Sequence, residues 1–133
     1  MFIPNNKKSI KYLAIFIAAF IIIGYLGIQR GIFNKYNCIT ALIDSSKSYN
    51  NIIVVGELDP YDQFRNIIAP NFHFKFIYYG CNTSYSSNQG IRDYNTLMIN
   101  KIKKINGKEW DVKFRDELIR LIVKNALEKK QKI

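Results

Sequence analysis

The chain has 133 residues, of which 48% are hydrophobic and 23% are charged. These proportions are close to those of folded globular proteins, so they exclude a fully disordered chain, a collagen-like repeat and a disulfide-dense miniprotein. Twenty lysines and arginines against ten acidic residues give a net charge of +10. A chain of this length has room for one domain with one appendage.

The first predicted element is an apolar run near the N-terminus. Residues 12–28 (YLAIFIAAFIIIGYLGI) carry no charged side chain and would form a helix roughly 26 Å long. That length is at the short end of a bilayer span. Lys11 and Arg30 bracket the run, and tyrosines lie near both of its ends, as interfacial aromatic residues do. The run therefore predicts a transmembrane anchor.

Two other interpretations of this run stay open. A cleaved signal peptide needs an A-x-A-like site, and residues 24–31 (GYLGIQRG) match it poorly. A buried core helix needs a larger protein around it than this chain supplies. We therefore expect a short basic tail at 1–11, a single-pass anchor at 12–28 and a small extramembrane α/β domain at 29–133.

The distribution of positive charge predicts the orientation of the anchor. Three lysines precede it within residues 1–11, whereas the basic residues that follow it are more widely spaced. Lysine and arginine are enriched on the cytoplasmic side of membrane spans. We therefore expect the N-terminus in the cytoplasm and the domain outside it, at the cell membrane.

The first half of the domain predicts a βαβ-like unit. Residues 35–45 favour a helix, with a strand as the alternative. The β-branched run 51–55 ends at a glycine and predicts a buried strand. Asp59 followed by proline is a helix start signal, which predicts a helix over about 60–69.

The aromatic segment 72–79 (FHFKFIYY) predicts a second strand. One face would carry the phenylalanines and Tyr78, and the other would carry Ile77 and Tyr79. That second face would be an exposed recognition surface if no helix covered it. The connection between the two strands is long enough for a parallel, right-handed crossover. A polar loop is expected at 81–90.

The last third of the chain predicts two amphipathic helices. A helical face over 91–105 is formed by Ile91, Tyr94, Met98, Ile102 and Ile105. The dipeptide Asn106-Gly107 is a stop signal. A second helix over 109–128 carries Trp110, Phe114, Leu118, Leu121 and Ile122, and a charged tail follows it. The predicted fold is α/β or α+β, with a short sheet of two or more strands after the membrane helix.

Cys38 and Cys81 are the two cysteines of the chain. Outside the cytoplasm they would form a disulfide, and inside it they would stay free thiols. Cys81 at a strand end is also a candidate nucleophile. The single histidine, His73, would lie about 26 Å away along an eight-residue strand, so a Cys–His pair is excluded if that strand is real.

The ends of the two predicted strands mark the best candidate ligand site. If the strands are parallel, Gly56 and Gly80 lie at the carboxyl edge of the sheet, where α/β folds bind ligands. The polar residues expected there are Glu57, Asp59, Cys81, Asn82 and Thr83. The alternative is that the glycines simply end the strands. The sequence has no metal-ligand spacing and no phosphate-binding glycine motif, so we expect no metal site and no cofactor.

The expected function is a non-catalytic binding or accessory role in a single-pass protein of the cell envelope. Its expected partners are the lipid bilayer and another envelope protein, and no nucleic acid. The basic residues of the last third are attributed to a solvated helix face. Two alternatives stay open, namely a small thiol-dependent membrane enzyme that uses Cys81 and a cytoplasm-facing basic domain that contacts anionic lipid.

Overall fold

The computed structural model describes residues 7–131, which form five α-helices and a two-stranded sheet. In chain order the elements are α1 (Lys7–Gln29), α2 (Cys38–Ser46), β1 (Asn51–Val54), α3 (Asp62–Ile68), a 3-10 turn (Ala69–Phe72), β2 (Lys75–Tyr78), α4 (Tyr85–Asn106) and α5 (Trp110–Lys130). The predicted class of mixed helix and sheet is confirmed.

Helix α1 is longer than the uncharged run at its centre. The stretch Ser9–Gln29 has 21 residues and a mean hydropathy of 2.2 in its most apolar window, which is long and apolar enough to cross a membrane. At 1.5 Å per residue it measures about 32 Å. A signal sequence or a core helix meets the same criteria, but only 6% of this window is buried, which is unlike a core helix. Residues 1–6 of the predicted tail lie outside the described residues.

The two strands pair in parallel, an arrangement that the length of the connection between them permits. Asn51 lies opposite Lys75 and Val54 lies opposite Tyr78, and the crossover between the strands contains α3 and the 3-10 turn. Strand β2 is shorter than the predicted 72–79. The reason is local, because Phe72 ends the 3-10 turn and His73 adopts a left-handed φ of 60°, so extended backbone begins only after them.

One side of the sheet packs against α2 and α4. Ile53 of β1 belongs to this cluster, and Ile77 and Tyr79 pack against it. We call the cluster the α2–α4 core; its other members are Tyr36, Ala41, Ile91, Tyr94 and Met98. The prediction of an exposed recognition surface at Ile77 and Tyr79 depended on an uncovered face and is wrong, since helices cover it.

The other side of the sheet packs against α3, the 3-10 turn and α5. We call this cluster the aromatic core. Its buried members are Ile68, Ala69, Phe72, Phe74, Ile102 and Trp110. Phe76 and Phe114 complete a group of rings whose centroids lie 5.2 to 6.4 Å apart, mostly in edge-to-face contact. Aromatic rings are therefore a large part of the packing on this side.

The boundaries of the last two helices depart from the predictions. Helix α4 begins at Tyr85, because the Ser84 hydroxyl accepts a hydrogen bond from the Ser87 N–H (3.1 Å) and caps the helix. The second half of the predicted loop 81–90 is thus helical. Helix α4 ends before Gly107 as predicted, but Ile105 is 47% exposed and lies outside the buried face. The charged residues 128–130 continue α5.

Helix α2 confirms the helical interpretation of 35–45 over the strand alternative. Asn37 caps it by accepting hydrogen bonds from the N–H groups of Ile39 (2.8 Å) and Thr40 (3.0 Å). The Thr40 hydroxyl in turn accepts from the Asn37 N–H (2.9 Å), which completes a reciprocal capping box.

Candidate functional site

The carboxyl ends of β1 and β2 lie side by side. The Tyr79 N–H donates to the Val54 carbonyl (2.8 Å), and the Gly56 N–H donates to the Gly80 carbonyl (3.2 Å). The two loops of the predicted ligand edge therefore start from adjacent points. We call this region the carboxyl edge.

Asp59 is engaged at the start of α3. Its Oδ1 accepts from the Tyr61 N–H (2.9 Å), and Oδ2 of Asp62 accepts from the Asp59 N–H (2.7 Å). Arg65 donates from Nη1 to Asp62 Oδ1 (2.8 Å), and its Nη2 lies 3.8 Å from Asp59 Oδ2. Asp59 therefore caps the turn that precedes α3 and not the helix itself, which begins at Asp62, two residues later than predicted, with Tyr61 as a cap residue that makes no side-chain hydrogen bond.

Asp62 is the buried member of the same cluster, and the half-buried Tyr78 lies beside it. Burial by itself raises the pKa of Asp62, which is only 4% exposed, but the Asp59 N–H, the Tyr78 hydroxyl and Arg65 outweigh it and lower that pKa overall. Burial, and then the neighbouring Asp62 carboxylate, raise the pKa of Tyr78 to about 12. At neutral pH the cluster therefore holds a carboxylate beside a neutral phenol.

The second loop of the carboxyl edge leads into α4. The Thr83 hydroxyl donates to Asn88 Oδ1 (2.8 Å), and the Thr83 N–H donates to the Cys81 carbonyl (3.1 Å). Cys81 and Asn82 are exposed and line an open cleft with Tyr78, Tyr79 and Gly80. Glu57 is exposed in the first loop. Of the predicted residues, Cys81 and Asn82 thus share one cleft, while Asp59 and Thr83 bond neighbouring groups at the starts of α3 and α4.

The two cysteines are free thiols in the structure. Cys38 is the half-buried first residue of α2, and Cys81 is exposed. The disulfide between them stays a prediction. His73 precedes β2 and Cys81 follows it, so the length of the strand, roughly 13 Å for four residues, separates them even though β2 is shorter than predicted.

A second cleft lies at the opposite end of the sheet, where both strands begin. We call it the amino-edge cleft; it is lined by Ser48, Tyr49, Asn50, Asn51, Pro70, His73, Phe74 and Lys75. Ser48 and His73 both have left-handed backbone, with φ of 61° and 60°. Such conformations are uncommon for residues other than glycine and often occur at functional sites.

Two asparagines give the amino-edge cleft its polar character. Asn50 joins the starts of the strands, since its carbonyl accepts from the Lys75 N–H (3.0 Å) and its Nδ2 donates to the His73 carbonyl (2.7 Å). Asn51 is 7% exposed. Within residues 7–131, the buried Oδ1 atoms of Asn50 and Asn51 have no hydrogen-bond partner. Both atoms are shut off from solvent, so they are unpaired acceptors inside the fold and not contacts for a ligand from outside.

The amino-edge cleft escaped the sequence analysis for a physical reason. Asparagine and serine before a strand are ordinary turn residues. His73 lies close to Asn50 only because the parallel register aligns the beginnings of β1 and β2. The two left-handed residues have no signature in the sequence, since neither is a glycine.

In comparisons with known proteins, the chain matches no protein-family model, no curated protein and no solved structure. Among the residues that the structure describes, no group of three or more His, Cys, Asp or Glu side chains is placed to hold a metal ion. The candidate site is therefore defined by the geometry of the two edges of the sheet.

Proposed function

We propose that this chain is a single-pass membrane protein whose small α/β domain is a non-catalytic binding or accessory module at the cell envelope, with the N-terminus in the cytoplasm. The observation that carries the proposal is the exposure of α1. Only 6% of its most apolar window is buried against the rest of the described chain. An apolar surface of this size needs a covering, and a helix of about 32 Å fits the hydrocarbon thickness of a bilayer.

The binding role is supported by the chemistry of the amino-edge cleft. The exposed side chains of His73 and Lys75 place an imidazole ring and a cation at its rim. An extended peptide supplies N–H donors and carbonyl acceptors together. A segment of another envelope protein is therefore the proposed ligand of the cleft.

Membrane insertion is tested by carbonate extraction of cells that express the full chain. We expect the wild type to sediment with membranes and to be released only by detergent. The double variant Ile17→Arg/Ile21→Arg should lose this association, because an arginine near the bilayer centre costs about 2.5–3.5 kcal/mol. The control Ile67→Arg alters an exposed side chain of α3 and should sediment like the wild type. Recovery of the unprocessed wild type in the supernatant would contradict the proposal.

The orientation is tested with a C-terminal reporter that is active only outside the cytoplasm. We expect activity, since the basic tail favours a cytoplasmic N-terminus. An inactive reporter on a membrane-inserted chain would support instead the cytoplasm-facing basic domain that contacts anionic lipid.

The binding role is tested with a photo-crosslinking amino acid placed at Tyr49 in the full chain. This side chain lines the amino-edge cleft and is 54% exposed. We expect a discrete crosslinked adduct in native membranes. The matched control places the same amino acid at Leu58, which is 71% exposed in the loop after β1, and should give none. Equal adducts at both positions, or none at either, would contradict a role for the cleft.

The exposed thiol of Cys81 favours one alternative, a thiol-dependent membrane enzyme. Such an enzyme needs a thiolate at neutral pH, and a free cysteine has a pKa of about 8.5. The pH dependence of alkylation of Cys81 in a Cys38→Ser background measures this property. A midpoint near 7 or below would support the enzyme, whereas an ordinary midpoint would remove it.

A further inference from the structure

We infer that the domain sits directly on the bilayer that α1 spans, so that the end of α1, the loop after it and the first turn of α4 contact the lipid headgroup layer. This inference rests on the proposed membrane span. We call the contact region the junction surface, and it consists of Tyr25, Gln29, Arg30, Phe33, Tyr85 and Gln89.

The chain leaves α1 without a flexible stalk. The Arg30 N–H donates to the Leu26 carbonyl (3.0 Å), and the Ile32 N–H donates to the Gly27 carbonyl (3.1 Å). The ring of Phe33 lies back over the same turn, 3.5 Å from the point where a Cβ of Gly27 would be. The loop is therefore folded onto the last turn of α1.

Asn37 ties this loop to α2. Its side chain is almost fully buried, with 4% of the residue exposed. Its Nδ2 donates to the Ile32 carbonyl (2.8 Å), while its Oδ1 accepts from the first N–H groups of α2. One amide group thus bonds the loop and the helix at once.

Two glycines place the same loop against the backbone of α4. A Cβ at Gly31 would lie 2.1 Å from the Ser86 carbonyl oxygen, and a Cβ at Gly90 would lie 2.5 Å from the Tyr36 carbonyl oxygen. Gly31 also has a left-handed φ of 68°. No side chain fits between these segments, so the depth of α1 in the bilayer sets the depth of the first turns of α4.

The junction surface has the composition of a membrane interface. Tyr25, Phe33 and Tyr85 are 60%, 76% and 69% exposed. The Tyr25 hydroxyl accepts from Gln29 Nε2 (2.7 Å), and the Tyr85 hydroxyl accepts from Gln89 Nε2 (3.0 Å). Aromatic rings with polar tips are favoured at the level of lipid headgroups.

The charge around the junction surface also fits a phospholipid layer. Residues 29–43 and 80–92 contain Arg30, Lys35 and Arg92 and no acidic residue. The first acidic residue of the chain is Asp44, whose Oδ2 accepts from the Tyr94 hydroxyl (2.6 Å) inside the domain. Anionic headgroups would therefore meet a net positive charge here, since the first acidic side chain of α4, Asp93, lies about two turns beyond Tyr85.

The test uses the full chain reconstituted into phosphatidylcholine–phosphatidylglycerol vesicles whose lipids carry bromines near the headgroup end of the acyl chains. It measures how strongly these bromines quench tryptophan fluorescence. Phe33→Trp and Tyr85→Trp report from the junction surface. The native Trp110, 9% exposed in the aromatic core, gives a constant background. The matched control is Tyr49→Trp, at an exposed site that follows α2. The end of α2 contacts Lys101, which lies near the end of α4 that is far from the junction surface.

We expect the added tryptophan of both junction variants to be quenched at least twofold more than that of Tyr49→Trp. Equal, weak quenching in all three variants of a chain that resists carbonate extraction would overturn the inference and leave the anchor in place. Failure of the wild-type chain to enter the vesicles would instead contradict the proposed membrane span, and the inference with it.

Discussion

The two sides of the sheet are held together by different interactions. In the α2–α4 core, the Tyr94 hydroxyl donates to Asp44 (2.6 Å), and the Asn95 side chain bonds both the N–H and the carbonyl of Ile53 (2.8 Å each). In the aromatic core, five rings lie in contact with one another, whereas the ring contacts of the α2–α4 core are those of Tyr36 with Tyr79 and Tyr94. Buried hydrogen bonds require one particular arrangement of donor and acceptor, whereas the packing of aromatic rings depends less on their relative orientation. The α2–α4 core therefore relies more on directional hydrogen bonds, and the aromatic core relies more on ring packing.

This difference matters because the anchor is joined to the α2–α4 core. Tyr36 of the α2–α4 core lies against Gly90 of α4, and Gly31 at the end of α1 lies against the same turn. The aromatic core has its helices α3 and α5 on the opposite side of the sheet. A substitution in the aromatic core should therefore reduce apolar burial only, whereas one in the α2–α4 core should also disturb how α1 is attached to the domain.

The largest effect is expected in the aromatic core. Phe74→Ala removes a ring that contacts Phe76, Trp110 and Phe114, so we expect a loss of about 3–5 kcal/mol in the free energy of unfolding. Denaturant unfolding of the full chain in detergent measures it. The control Ile67→Ala, at a 61% exposed position, should change stability by less than about 0.5 kcal/mol. A loss below about 1 kcal/mol for Phe74→Ala would show that burial is not concentrated on this side.

The next effect is expected where α4 meets the loop after α1. Gly→Ala inside a helix normally stabilises it by up to about 1 kcal/mol, but at Gly90 the new Cβ meets the Tyr36 carbonyl at 2.5 Å. We therefore expect Gly90→Ala to destabilise the chain by about 2–3 kcal/mol. Gly24→Ala is the matched control, because nothing lies within 4 Å of its Cβ position. Thermal unfolding that ranks Gly90→Ala at or above the wild type would disprove the close backbone contact.

A smaller effect is expected from Asn95, which acts on β1 as a neighbouring strand would. Asn95→Ala leaves the Ile53 N–H and carbonyl without these partners, so we expect a loss of about 2 kcal/mol. Asn95→Asp keeps an acceptor for the N–H and loses the donor to the carbonyl, and it should fall between the alanine variant and the wild type. Amide hydrogen exchange at Ile53 gives a local readout, which should accelerate in Asn95→Ala. Unchanged exchange would mean that the side chain does not protect this edge.

The parts of the fold that the sequence predicted are those specified within a few residues. The β-branched run at 51–55 and the stop at Asn106-Gly107 each act on their own neighbours. The first turn of α4 was mistaken for a loop, because its polar residues are those of loops. Its Gly90 is explained by Tyr36, a residue far away in the chain. Contacts of this kind are set by tertiary packing and leave no local pattern.

The candidate site shows the same limit. Sequence alternation and glycine positions predicted that the two strand ends would meet at the carboxyl edge, and Gly56 and Gly80 do meet there. The amino-edge cleft needed two facts that the sequence does not carry. One is the register that sets Asn51 opposite Lys75, and the other is the left-handed backbone at Ser48 and His73.

The smallest expected effect is a loss of stability at alkaline pH. It arises from two tyrosines, one on each side of the sheet. Burial and then Asp62 raise the pKa of Tyr78 to about 12 beside the aromatic core, and burial and then Asp44 raise the pKa of Tyr94 in the α2–α4 core. A tyrosine of the unfolded chain ionises near pH 10. Stability is therefore full below pH 10 and falls as the pH rises toward 12, since only the unfolded state releases the proton there.

For Tyr78 this linkage amounts to about 1 kcal/mol at pH 11. Denaturant unfolding at pH 8, 10 and 11 should show a fall in the wild type that is reduced in Tyr78→Phe and also in Tyr94→Phe. The exposed control Tyr61→Phe should keep the wild-type slope. If Tyr94→Phe alone flattened the curve, the hydroxyl of Tyr78 would be solvated and the cluster with Asp62 would be open to water. The contact between a buried tyrosine hydroxyl and a carboxylate would then be confined to the α2–α4 core, and the two cores would differ more than the structure indicates.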